Sequence, residues 1–286
     1  MKTAAAVVLA FCLAGCAEPP PPPPPPRTVA TAVPVPLVVP VPTPPPAVAE
    51  PVERGRDAEP LPEPPKADPA NAHKPLTADK ALLLEVAPDP ADAKKTKPVR
   101  LLVRCEVCLR EGTLEVLLCK TNTKEHEAIV RTAVDAKLLH GGLLALGLTP
   151  GAPVQFIDPK SGEVNYVPAS GPKVAVTVHY RRAGQLHTHP AQEWIADART
   201  KKPMAHDWVF AGSRFLKDPD EPTKAPFYTA NNGEVIAVSN FADSMLDLPV
   251  NVSRENAELN FVAATAKVPP LLSKVWVILA PVAAKK

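Results

Sequence analysis

LEVLLCKTNTKEHEAIVRTAVDAKLLHGGLLALGL, residues 114–148, is the stretch on which the fold turns. Ile129, Val130, Ala133 and Val134 recur at helical spacing, and so do Leu138, Leu139, Gly142, Leu143 and Leu146. Asn122 followed by Glu125 has the form of a capping box, and Asp135 that of a second N-cap. Gly147 and Pro150 close the run. The pattern predicts a two-part helical region. Gly141 and Gly142 inside it each cost about 1 kcal/mol relative to alanine, a cost that close packing onto a sheet would offset.

Upstream the period changes to two. Leu101, Val103, Cys105, Val107 and Leu109 alternate with Leu102, Arg104, Glu106 and Cys108. Leu114, Val116 and Leu118 continue an apolar face beyond Glu111 and Gly112, which reads as a β-hairpin. Pairing Leu109 with Leu114 turns Cys105 inward and Cys108 and Cys119 outward. It also sets those two cysteines roughly 13 Å apart along the ladder, too far for a disulfide. Downstream, strands are expected at residues 154–157, 174–180, from 186 onward, 208–212, 227–230, 235–240, 259–264 and 274–279. Residues 192–198 fit strand or helix. Ala183-Gly184 and Asn231-Asn232-Gly233 have hairpin-turn chemistry. Many short strands and one helical region predict an α+β fold: a mostly antiparallel sheet with the two-part helical region packed on it.

The N-terminal part has a different character. Lys2 and the apolar run 4–14 read as a secretory signal, too short to span a bilayer. Leu13-Ala14-Gly15-Cys16 has the lipobox pattern, which makes Cys16 the expected lipidation site. Acyl chains there would hold the protein on a membrane without a transmembrane helix. Ala17 after the cysteine favours the outer membrane. Between residues 17 and 98 lie 25 of the chain's 39 prolines. Proline fixes φ and lacks an N–H, so this run is expected as a semi-rigid polyproline tether, about 3.1 Å per residue. The expected organisation is a signal peptide at 1–16, a disordered proline-rich tether at 17–80 and a folded domain at 81–286. His73 falls in the tether and is expected to be solvated.

The formal net charge is +2 with lysine and arginine unclustered, which argues against a nucleic-acid partner. The segments Glu106-Val107-Cys108-Leu109-Arg110-Glu111-Gly112, Lys124-Glu125-His126-Glu127, Leu143-Leu144-Ala145-Leu146-Gly147, Ala191-Gln192-Glu193-Trp194-Ile195, Trp208-Val209-Phe210-Ala211-Gly212-Ser213 and Val238-Ser239-Asn240-Phe241 together resemble the YdjY-domain family of bacterial proteins. With the lipobox and proline stalk, the chain looks like envelope proteins of planctomycete-type bacteria. The resemblance carries over no particular reaction. A ferredoxin-like label on some members implies an iron–sulfur cluster, but this chain's domain cysteines number three, Cys105, Cys108 and Cys119, one short of a cysteine-ligated set.

GxSxG, HExxH, phosphate-loop and dinucleotide motifs are all missing from the sequence. Three function classes follow. The first is a lipid-anchored, non-catalytic domain that binds an envelope protein or a ligand. The second is a metal or redox protein, with iron–sulfur or zinc held by Cys108, Cys119, His126, His187 or His189. His187 and His189 would share a strand face. The third is a hydrolase using His126 with Glu127 or Ser213. Lys124, Glu125, His140, Asp207, Asn240 and Asp243 are further polar residues at element ends.

Overall fold

The computed structural model describes residues 57–157, 165–221, 223–252 and 260–283. Cys16 and the proline run as far as residue 56 lie outside the described residues. In chain order the elements are β1 (Ala72–Pro75), β2 (Leu82–Asp89), β3 (Asp92–Val107), β4 (Val116–Lys120), β5 (Ala128–Thr132), α1 (Ala136–Ala145), β6 (Gln155–Ile157), β7 (Asn165–Val167) and β8 (Lys173–Arg182). There follow β9 (Gln185–Pro190), β10 (Ile195–Asp197), β11 (Trp208–Phe210), β12 (Phe215–Leu216), β13 (Phe227–Tyr228), β14 (Ile236–Ala237), β15 (Leu246–Asp247), β16 (Phe261–Ala263) and β17 (Lys274–Pro281).

Strand accounts for 40% and helix for 10% of the structure. The fold is therefore mostly β, not the expected α+β. Eight strands close into a barrel in the order β3-β17-β8-β11-β15-β14-β4-β5, and β5 returns to β3. All pairs around the ring are antiparallel except β4–β5 and β14–β15. β1 and β2 extend the sheet from β3, and β9 extends it from β8.

Two corrections follow from the ring. First, residues 128–132 are a barrel strand instead of the first half of a helical region. Ile129 and Val130 are β-branched, and both bury fully against the interior cluster. The Asn122–Glu125 pairing is real, with Glu125 Oε1 accepting the Asn122 N–H at 2.7 Å, but it caps only a 3₁₀ turn, Glu125–Glu127. The one α-helix among the described residues is α1, capped by Asp135, whose Oδ1 accepts the Lys137 N–H at 2.8 Å. Second, β4 does not pair with β3. β5 lies between them, antiparallel to β3 and parallel to β4. Likewise Asn231-Asn232-Gly233 makes a 3₁₀ turn, since β13 pairs with β12 and β14 with β4 and β15. The β8–β9 hairpin forms around Ala183 and Gly184, both at positive φ.

Side-chain parity nevertheless follows the alternation. Leu101, Val103, Cys105 and Val107 of β3 join the interior cluster, with Trp194, Trp208, Phe210 and Tyr228 among its largest members. The outer wall carries three smaller apolar pockets, each covered by a different segment. Leu83, Leu102, Trp276 and Ile278 pack with Leu61 of the segment before β1. Val154, Ala169, Val209 and Ala211 pack with Phe156 and Tyr166 of the β6–β7 hairpin. Val116, Cys119, Ala128 and Ala237 pack with Cys108 and with Phe241 from the loop after β14.

Candidate functional site

β4, β5 and β14 start close together at one rim of the barrel, and polar side chains gather there. The Glu115 N–H donates to the Glu127 carbonyl at 3.1 Å, and the Glu115 carbonyl accepts from Val238 and Ser239. Lys124, in the turn before β5, sends Nζ 2.5 Å from Glu115 Oε2 and 3.0 Å from Glu234 Oε1. The same ammonium sits 4.1 Å above the centre of the Phe241 ring. Gly233, at φ +127°, brings the backbone against the Lys124 stem. A Cβ there would meet Lys124 Cγ at 2.9 Å, so the close approach needs glycine.

This charge balance shapes the titrations. Burial disfavours the Lys124 ammonium, but Glu115 and Glu234 outweigh it and hold its pKa above the usual value. Burial and a hydrogen bond shared with Glu115 raise the Glu127 carboxyl above its ordinary range. Glu115 and Glu127 thus form a carboxyl–carboxylate pair beside a fixed cation, a group able to hold or pass one proton. His126 stands at the edge, 74% exposed, with Nε2 3.7 Å from Glu127 Oε2.

The expected site residues fall into four places. His126 and Glu127 are in the rim cluster. Cys108 and Cys119 lie beneath Phe241 in the adjoining outer-wall pocket. Cys105 faces the interior, where burial pushes its thiol pKa up. The three thiols therefore do not meet at one point. His187 and His189 share a face of β9 as expected, stack on each other at 5.8 Å between centroids, and rest on Tyr180. His189 Nδ1 also lies 3.5 Å from Glu193 Oε2. Among the described residues no group of three or more His, Cys, Asp or Glu is arranged to hold a metal ion.

Ser213 is elsewhere again, after β11, at φ +55°. Its hydroxyl donates to the Asp243 carbonyl at 2.6 Å and lies 2.9 Å from Thr229 Oγ1. The neighbouring histidine is His140 of α1, not His126. His140 Nδ1 is 2.9 Å from the Tyr228 hydroxyl, which donates to the Gly212 carbonyl at 3.0 Å. Burial lowers the His140 pKa, so it is neutral at neutral pH.

The YdjY domain profile matches residues 93–280. The chain belongs to the YdjY-domain family. The matched span covers the whole barrel, from the second residue of β3 to the next-to-last residue of β17. No curated protein and no solved structure matched the chain. In this YdjY domain Glu115, Glu234 and Phe241 were missed as members of the rim cluster. Their spacing along the chain is irregular, and only barrel closure brings them to Lys124.

Proposed function

We propose that this YdjY-domain protein is a lipid-anchored protein of the cell envelope whose barrel docks a partner protein on the periplasmic side. The anchor rests on the lipobox at Cys16, with Ala17 favouring the outer membrane, and the proline-rich stretch supplies reach.

One observation carries the docking reading. Leu144 of α1 and Phe215, Leu216 and Phe227 of the β12–β13 hairpin are each 46–52% exposed. The hairpin is held from beneath, since the Phe215 ring lies 4.8 Å from Tyr228 and 6.2 Å from His140. Lys137 approaches the Phe215 ring at 5.9 Å and lends the patch a charged border. Apolar side chains held rigid and left in solvent are characteristic of surfaces that bind proteins. The strongest polar groups, by contrast, engage each other: Lys124 with its two glutamates, Ser213 with Thr229 and Asp243.

A photo-crosslinking side chain at position 227, in full-length protein produced in its own cells, tests this. A discrete protein adduct is expected from position 227 and not from Leu186, an equally exposed residue on β9. No adduct, or the same adducts from both positions, overturns the docking reading.

A further inference from the structure

Cys108 and Cys119 come from strands that are not neighbours, yet their thiols converge. β5 runs between β3 and β4. The Ile129 carbonyl accepts the Cys108 N–H at 2.9 Å, so it points toward β3, and the Thr132 carbonyl accepts from Thr121 on the β4 side. Carbonyls alternate along a strand, so the Ala128 carbonyl points toward β4. Cys108 Sγ lies 3.1 Å from that Ala128 oxygen. The Cys108 thiol has therefore crossed over the β5 backbone toward Cys119. The small Ala128 and Ala237 side chains leave room for both sulfurs, and Phe241 roofs the pocket. Cys119 is fully buried, while Cys108 is partly exposed and gives a way in from solvent.

We propose that Cys108 and Cys119 form a two-thiolate site for a soft monovalent metal ion, copper(I) in linear S–Cu–S coordination. Soft thiolate ligands select copper(I), and two suffice for a linear d¹⁰ ion, whereas zinc asks for a tetrahedral set. Binding is a proton exchange without redox change: Cu⁺ displaces one proton from each thiol and leaves a bis-thiolate of net charge −1. Arg131 faces Cys119 in the β4–β5 register and lies within electrostatic reach of both sulfurs, so it offsets that charge. A hydrogen bond from Cys108 lowers the Cys119 pKa, so the buried sulfur ionises first. A disulfide suits the pair less well. Strands flanking a third are held roughly 9–10 Å apart, wider than the ~7 Å Cα limit of a disulfide. A metal adds two bonds of ~2.3 Å and leaves both strands in place. This inference stands independently of the docking patch.

The test uses the full chain carrying Cys12→Ser and Cys16→Ser, so that Cys105, Cys108 and Cys119 are its cysteines. Reduced, anaerobic protein is titrated with copper(I) against a chromophoric copper(I) chelator. One equivalent should bind, with a near-ultraviolet thiolate-to-copper band, and Cys105→Ser should leave both unchanged. Cys108→Ser and Cys119→Ser should each weaken binding by more than the roughly 10–100-fold that outer-shell changes cost. Because a hydroxyl is costly in the Cys119 pocket, Cys119→Ala is measured beside it. Failure to compete with the chelator overturns the proposal. So does binding that survives in folded Cys119→Ala, or binding that depends on Cys105.

Discussion

Asp247 has no solvent exposure, yet it carries a carboxyl group whose Oδ2 meets no hydrogen-bond partner among the described residues. Oδ1 accepts the Leu248 N–H at 2.7 Å and the Asn240 amide at 3.3 Å. Burial outweighs those bonds and raises the carboxyl pKa to about 7. In the unfolded chain it would be about 3.9. Between these values the unfolded chain has released the proton that the folded chain keeps, so stability falls as pH rises from about 4 to about 7 and is level above that. At 1.36 kcal/mol per unit the loss is ~4 kcal/mol. Asp247→Asn keeps the shape and one acceptor but does not titrate. Urea unfolding of both proteins across pH 4–8 should show wild type losing that amount relative to the variant. A pH-independent difference would mean that Asp247 is ionised in the folded protein. Tyr166, across the β6–β7 cover, reports the same charge: burial, then Asp247, pushes its pKa up to about 12. Nothing in the local sequence around Asp247 distinguishes it from a surface aspartate, because its burial is created by strands distant in the chain.

At the scale of elements, the paired glycines of α1 separate two roles that the sequence merges. A Cβ on Gly142 would meet Leu101 Cδ1 of β3 at 2.6 Å, while one on Gly141 would meet open space. Gly141→Ala should therefore raise stability by about 0.5–1 kcal/mol through helix propensity. Gly142→Ala gains the same propensity but overpacks Leu101, and should lower stability by about 1–2 kcal/mol net. Opposite shifts of the two urea midpoints are expected, and equal shifts would show that α1 does not press on β3. The close approach of α1 to the sheet was legible because two adjacent helix-interior glycines need a packing reason. The inward parity of Cys105 and the outward parity of Cys108 and Cys119 were legible for a similar reason, since alternation is a local property of a strand. Strand partnership was not. Leu109 with Leu114 is the pairing that sequence proximity favours, but closure inserts β5 between β3 and β4. The segment around Ile129 spans so few residues that its apolar positions fit a 3.6 period as well as a buried strand, and β-branching was the better guide.

For the molecule as a whole, the folded unit begins upstream of the expected boundary at Ala81. Residues 59–75 run along the outer wall as a strap that ends in β1. The Lys274 N–H donates to the Glu59 carbonyl at 2.9 Å, and the Glu59 N–H to Ser273 Oγ at 2.9 Å. Prolines suit this path, because they lack an N–H to satisfy and leave their carbonyls free to accept. The Pro62 carbonyl accepts the Trp276 indole N–H at 2.9 Å, and the Pro65 carbonyl accepts the Arg100 guanidinium at 2.8 Å. Fully buried Glu85 pairs with Arg100 and accepts the Ala67 N–H and the Asn71 amide, each at 2.6 Å. Composition alone presents this segment as tether, because its partners lie as far as 214 positions away along the chain. A chain starting at Leu76 uncovers the Trp276 pocket and removes two of the donors to Glu85. Unsatisfied buried groups cost about 1–3 kcal/mol each, and buried apolar surface is lost with them. That chain should be at least ~3 kcal/mol less stable to urea than one starting at Asp57, with Trp276 emission shifted to longer wavelength before the main transition. The chain starting at Asp57 should match the full-length protein. Equal stability of the two shortened chains would mean that the strap lies on the barrel without holding it, and that the fold is complete from β2 onward.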